Sequence, residues 1–107
     1  ANLTIDQGAT FSSDVTVKDA QDKAYNLTGY TANAKLSKGF ASTRTRTNMT
    51  TTIATDATTG VVTLSLSATE TAALDAERYV YDLEITSGAT VTRVIEGIIT
   101  VRPQVTL

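Results

Sequence analysis

RYVYDLEITSGATVTRVIEGIITVRPQVT, residues 78–106, decides how this chain folds. Through Ser87 the residues alternate in character: Tyr79, Tyr81, Leu83 and Ile85 point one way, Asp82, Glu84 and Thr86 the other. A period of two marks a strand with one dry and one wet face. Ser87 and Gly88 supply a turn, and the chain returns through Val91, Arg93, Ile95, Gly97, Ile99 and Val101. Two long amphipathic runs joined this tightly predict a β-hairpin. Gly97 interrupts the returning strand at a place that favours a bulge, and Pro103 stops the pairing.

The same rhythm extends outward. Thr10–Lys18 sets Phe11, Val15 and Val17 against Thr10, Ser12, Asp14 and Thr16. A polar turn over Asp19–Lys23 follows, and Tyr25–Gly29 leads into a strand in which Tyr30, Ala32, Ala34 and Leu36 face inward. The small alanines suit a closely approaching neighbour. Gly39–Thr47 reads as a loop, and Met49–Thr55 as a weak strand with Ile53 its strong anchor, hence an edge. Asp56–Gly60 is a turn whose glycine accepts positive φ. Val62, Leu64 and Leu66 form the next inward face. Ser67 and Glu70 then have the spacing of a capping box, which predicts one or two helical turns over 68–74. Such a helix would carry the chain from one sheet to the other, with Leu74 plugging the end of the core.

Composition agrees. Threonine supplies 22 of the 107 residues; its branched Cβ suits a pleated sheet and its hydroxyl tolerates water. A disordered Thr-rich stalk is excluded by the alternating Val, Ile, Leu and Tyr runs and by a single proline. The expected fold is one domain, residues 1–107: an antiparallel β-sandwich of six to seven strands, immunoglobulin-like in broad architecture, without the disulfide and Trp of antibody domains. A small barrel is the alternative.

The residue inventory narrows function. No cysteine means no disulfide, thiolate nucleophile or zinc–thiolate site; no histidine removes the usual general base near neutral pH. A net charge of −2 gives no long-range attraction to nucleic acid or anionic membrane. No apolar run approaches a membrane span. The opening ANLTIDQGAT shows no basic region followed by an apolar one, so no secretion leader is expected, and the first Ala reads as the residue left when an initiator Met is removed. Asp19 with Asp22, and Asp56 with Gly60, supply turn chemistry rather than the dense carboxylates of a calcium loop. Asp82 and Glu84 share a strand face, the arrangement of paired carboxylates in glycoside hydrolysis, but alternate acids on a wet face are ordinary solubilising residues. The sequons at Asn2, Asn26 and Asn48 are what a Thr-rich sequence produces by chance. The expectation is no enzyme, no cofactor and no metal.

Charge is unevenly spread. No acid occurs between Lys23 and Thr55, where Lys35, Lys38, Arg44 and Arg46 fall. The run Lys38–Arg46 places Phe40 among basic residues. A solvated loop and a single-strand nucleic-acid platform are two readings of it. The third, preferred here, is a protein interface of Lys38, Phe40, Arg44 and Arg46, with Phe40 the anchor and the arginines its pairing groups.

Four phrases in order carry a family resemblance across nearly the whole chain: Asn26–Tyr30 (NLTGY), Thr59–Leu64 (TGVVTL), Tyr79–Glu84 (YVYDLE) and Glu96–Val101 (EGIITV). Together they resemble small virion structural proteins of tailed phages, especially those of cyanobacteria, and the N-terminal domains of phage baseplate and tail-fibre proteins. The chain departs from the pattern at Ala76–Arg78, where such domains often carry a Gly. The resemblance implies a β-sandwich without catalytic residues, located in the virion and docked on capsid or tail subunits. Capsid decoration or cementing is the first expectation, suggested by a free-standing chain of this size. Attachment at the tail, baseplate or fibre is the alternative, and a carbohydrate-binding module for host adsorption a third. Thr-rich edges also suit association between copies.

Overall fold

The computed structural model describes residues 2–38 and 46–104. The strands are β1 (Leu3–Asp6), β2 (Phe11–Thr16), β3 (Thr31–Ser37), β4 (Arg46–Ile53), β5 (Val61–Leu66), β6 (Arg78–Ser87) and β7 (Thr90–Arg102), with helix α1 (Ala68–Ala72) between β5 and β6 and a 3-10 turn at Ala57–Thr59. They form one hydrogen-bonded series, β1-β7-β6-β3-β4-β5-β2. β4 bends this series into two layers. Its first half pairs with β3 (Ala34 opposite Met49), and its second half turns away to pair with β5 (Thr50 opposite Ser65). The expected sandwich is therefore present, continuous along β4 and open between β1 and β2 at the opposite seam.

One apolar cluster fills the space between the layers. β6 contributes Tyr79, Tyr81, Leu83 and Ile85, β5 contributes Val62, Leu64 and Leu66, and Ile5, Phe11, Val15, Leu36, Met49, Ile99 and Val101 arrive from the other strands. In each strand these are alternate residues, as a one-sided sheet demands. Leu27 and Leu74 close the ends, Leu74 where the sequence places it. α1 is the expected helical crossing between layers. Ser67 Oγ accepts from Glu70 N–H at 3.2 Å, and Ser67 N–H donates to Glu70 Oε1 at 2.8 Å, which is the capping box.

The structure corrects four expectations. Leu3–Asp6 is a strand that the sequence reading omitted, and it pairs parallel to β7, unlike the other ladders. β4 is not an edge: neighbours flank it on both sides. Its threonines serve the change of layer, for Thr51 Oγ1 donates to the Ala32 carbonyl at 2.9 Å beyond the last β3–β4 pair. Residues 46 and 47, read as loop, belong to β4. Finally, the bulge lies at Val94 rather than Gly97. Leu83 faces Ile95 while Glu84 faces Arg93, so Val94 is the extra residue, and Gly97 stays in register opposite Tyr81. One inserted residue exchanges the faces of a strand. Val91 and Arg93, read in phase with Ile95, therefore lie on the outer face, and Val91 is 56% exposed.

A buried hydroxyl ties α1 to the link between β1 and β2. Thr71 is fully buried; its Oγ1 accepts from Gly8 N–H at 3.0 Å and donates to the Ala9 carbonyl at 2.8 Å. Gln7 Nε2 adds a bond to the Leu74 carbonyl at 2.7 Å. Thr71→Val keeps the shape but strands a buried donor and acceptor. Its expected cost is about 1–3 kcal/mol, read as a lower urea midpoint at unchanged slope; an unchanged midpoint would remove the hydroxyl from the account.

Candidate docking surface

The basic run starts where β3 ends. Ser37 and Arg46 are the last pair of the β3–β4 ladder, so Lys38 and Arg46 come to the same end of the sheet. Lys38 is not available as a free cation. Its Nζ lies 2.6 Å from Asp75 Oδ2 and 3.6 Å from Glu77 Oε2, on the segment joining α1 to β6. The Asp75 hydrogen bond, with the negative charges around it, holds the ammonium above its ordinary pKa despite some desolvation. Asp75 is itself fixed by the phenol of Tyr79, which accepts from its N–H at 2.9 Å and donates to its carbonyl at 3.1 Å. Burial raises the Tyr79 pKa against the opposing effect of the Asp75 backbone bond. A buried ring thus positions an acid that anchors the base of the basic segment. Arg46 stands exposed at the first position of β4. Phe40 and Arg44 lie outside the described residues.

The outer face of β3, β6 and β7 is a charged ladder beside this end. Lys35 faces Asp82, Asp82 faces Glu96, and Glu84 faces Arg93. Arg93 Nε lies 3.3 Å from Asp82 Oδ2 and its Nη1 3.5 Å from Glu96 Oε2. Lys35, Asp82, Glu84 and Arg93, with Asn33, Ser37 and Arg46, border an open depression of about 540 Å³. Arg93 was missed as a surface residue because the Val94 bulge inverts its phase. Asp82 and Glu84 do share the outer face, as read, but the Asp82 carboxylate is committed to Arg93. Such exposed pairs contribute at most about 1 kcal/mol each, and salt screens them. They therefore add little to the stability of the fold. In the next row Val80 faces Ile98, which is 39% exposed, a small apolar strip beside the charges.

The remaining candidates resolve into local structure. Asp19 Oδ1 accepts from the N–H groups of Gln21 (2.9 Å) and Lys23 (3.0 Å). Asp56 Oδ1 accepts from Thr58 N–H at 3.1 Å and its hydroxyl at 2.5 Å, capping the 3-10 turn. Asn26 makes the same turn with Thr28. Among the described residues no three acids are grouped to hold a metal, and no helix is long and apolar enough to cross a membrane. Tyr25 and Tyr30, half-buried, meet edge to face at 5.8 Å with hydroxyls 3.2 Å apart, while Tyr79 and Tyr81 are buried. No row of exposed aromatic rings for sugar stacking exists among the described residues.

Acid sensitivity follows from two of these contacts. The Arg102 guanidinium, bonded at 2.7 Å, lowers Asp6, and Thr58 lowers Asp56, both from an ordinary 3.8. A depressed carboxylate contributes stability that is complete above its unfolded-state value and is lost as pH falls through the folded one. The unfolding free energy is therefore expected to hold steady above about pH 5 and decline below 3.8. Asp56→Asn should flatten that decline; an acid limb of equal slope in the variant would exclude this carboxylate as its source.

No protein-family model matches the chain, and no curated protein matches it. The solved structures similar to it include a phage domain and a filamin domain. The N-terminal domain of phage TP901-1 ORF48 superposes with a TM-score of 0.56 at 12% identity, over 95% of this chain and 85% of that one. A filamin domain of Lin-41 gives a TM-score of 0.48 at 15% identity, over 92% of this chain and 82% of that one. The first likeness extends over nearly the whole chain and is one of fold.

Proposed function

We propose that this domain is a non-enzymatic structural module of a phage particle that works by docking a rigid sandwich on other virion subunits. The observation that carries the reading is the near-complete superposition on a domain from a phage protein. The NLTGY, TGVVTL, YVYDLE and EGIITV phrases support it independently, since they resemble virion domains at the level of sequence. The surface suits docking more than chemistry: most of its described acids are tied to arginine or lysine, or serve as turn caps.

In this reading Phe40, Arg44 and Arg46 touch the partner subunit, and Lys38, bound to Asp75, fixes the base of their segment. Arginine suits such a place because its planar fork pairs with carboxylates in two directions. Capsid decoration and attachment at the tail, baseplate or fibre are both docking roles. Decoration, the first reading, would bridge neighbouring capsomers against internal pressure; attachment would hold the sandwich at the tail, baseplate or fibre.

Rebinding to particles tests the surface. Labelled chain is mixed with purified particles that lack it, and binding is followed by co-sedimentation. Phe40→Ala combined with Arg44→Ala is expected to weaken attachment at least tenfold, as loss of an interface anchor does. Attachment unchanged in the double variant would remove this segment from the interface.

A further inference from the structure

The two ends of the strand series meet solvent differently. β1 is four residues long, and the Asp6–Arg102 ion pair and Pro103 stand at its end. Short length, charge and proline are devices that discourage an edge from pairing. β2 is two residues longer and lacks the proline. Phe11–Thr16 contains no proline and no lysine, and its register with β5 runs without a bulge. Its one charge, Asp14, accepts from Thr63 Oγ1 at 2.6 Å and is thereby drawn back over β5. No described strand pairs with its other side. An open groove of about 350 Å³, bordered by Leu3, Thr4, Asp6 and Phe11–Ser13, runs along its first half.

The ladder shows which main-chain groups this edge presents. Val17 N–H donates to the Gly60 carbonyl at 2.8 Å, in line with the β2–β5 register. The Val61 carbonyl, opposite Thr16, instead accepts from Ala54 N–H at 3.0 Å, on the β4 side. Bonded and non-bonded pairs alternate in an antiparallel ladder. Phe11, Ser13 and Val15 therefore bond to β5, and the N–H and C=O groups of Ser12 and Asp14 point to the free side.

We propose that this edge pairs antiparallel with β2 of a second copy of the chain, about a two-fold axis at Ser13. Residues directly opposite must share a face, and the inward residues here are Phe11, Ser13 and Val15. Centring on Ser13 satisfies that and sets Phe11 opposite Val15 of the second copy on both sides of the axis, an aromatic–β-branched pair. It also sets Ser12 opposite Asp14 of the second copy, the positions whose main-chain groups are free to bond. Centring on Asp14 would oppose two carboxylates, and centring on Ser12 would forfeit the Phe11–Val15 pairs. The strand is thus self-complementary in one register, as a closed two-fold interface requires. The β5–β2 layer continues into its copy across the axis. This inference rests on β2 alone and does not require the virion reading.

Sedimentation equilibrium of the 107-residue chain, from micromolar to millimolar, tests it. A reversible monomer–dimer equilibrium is expected. Ser12→Asp places like charges opposite each other twice per dimer and should weaken Kd about tenfold, while Ser12→Lys should tighten it several-fold. The Ser12 side chain is exposed, so both variants should melt as the wild type does when dilute. A chain monomeric at every concentration overturns the proposal. So does a dimer indifferent to both substitutions, or one that responds to them in the same direction.

Discussion

Tyr81→Ala is expected to reduce the unfolding free energy by about 3–5 kcal/mol, the range for removing a large buried aromatic side chain. Tyr81 is 1% exposed on β6, with Leu36 of β3 on one side and Gly97 of β7 on the other. It stands in the inner-face row that also holds Tyr79, Leu83 and Ile85, and burial raises its phenol pKa. Neither neighbouring strand can collapse into the space without breaking its own ladder, so most of the cavity would persist. A domain of this size has roughly 5–15 kcal/mol to lose, so the variant should sit near its threshold. Urea denaturation measures the loss, with Glu84→Ala on the outer face as the control, expected within about 0.5 kcal/mol of wild type. Equal effects from the two positions would contradict the assigned faces.

Gly60→Ala is the second large effect, at about 2–4 kcal/mol, combining left-handed backbone strain with overpacking. Gly60 has φ +70°, and a Cβ there would lie 2.6 Å from the Val17 carbonyl oxygen and 3.0 Å from Tyr25 N. Those two atoms form a hydrogen bond of 2.9 Å, and Gly60's own carbonyl accepts from Val17 N–H. Backbone cannot swing aside as a long side chain can, so the substitution must spread the junction where β2 and β5 meet. The loss should appear in thermal melting as well as in urea. A Gly60→Ala protein that melts with the wild type would mean that the turn adopts another conformation.

The legible parts of this fold are those governed by neighbours in sequence. β6 was readable because its inner and outer sets never mix, and the Ser67–Glu70 cap because both partners lie within one helical turn. The Asp56–Gly60 turn was readable for the same reason. What escaped depends on distant pairing. The Val94 bulge is a choice of register against β6, and it changed the faces of Val91 and Arg93 although their local pattern is unexceptional. β4 resembles an edge because threonines fill it, and only the split between β3 and β5 explains the Thr51–Ala32 bond. β1 offers only Leu3 and Ile5 as apolar residues, too few to signal a strand without β7 beside it. At the candidate site, the clustering of Lys38 and Arg46 was visible in the sequence. Capture of Lys38 by Asp75, 37 residues away, was not.

The contact gives Lys38 a partner within the chain, at the base of the proposed docking segment. In the proposed docking role the contacts would fall to the arginines and Phe40. The β2 edge offers a second means of assembly at the far side of the sandwich from β4, so one copy could meet another copy and a different subunit at once.

Cryo-electron microscopy of purified phage particles proposed to carry this chain tests the central claim most directly. The account predicts density matching this sandwich at fixed, symmetry-related positions, with the end of the β3–β4 pairing turned toward another subunit. Particles of full composition and infectivity in which the chain is absent would contradict it.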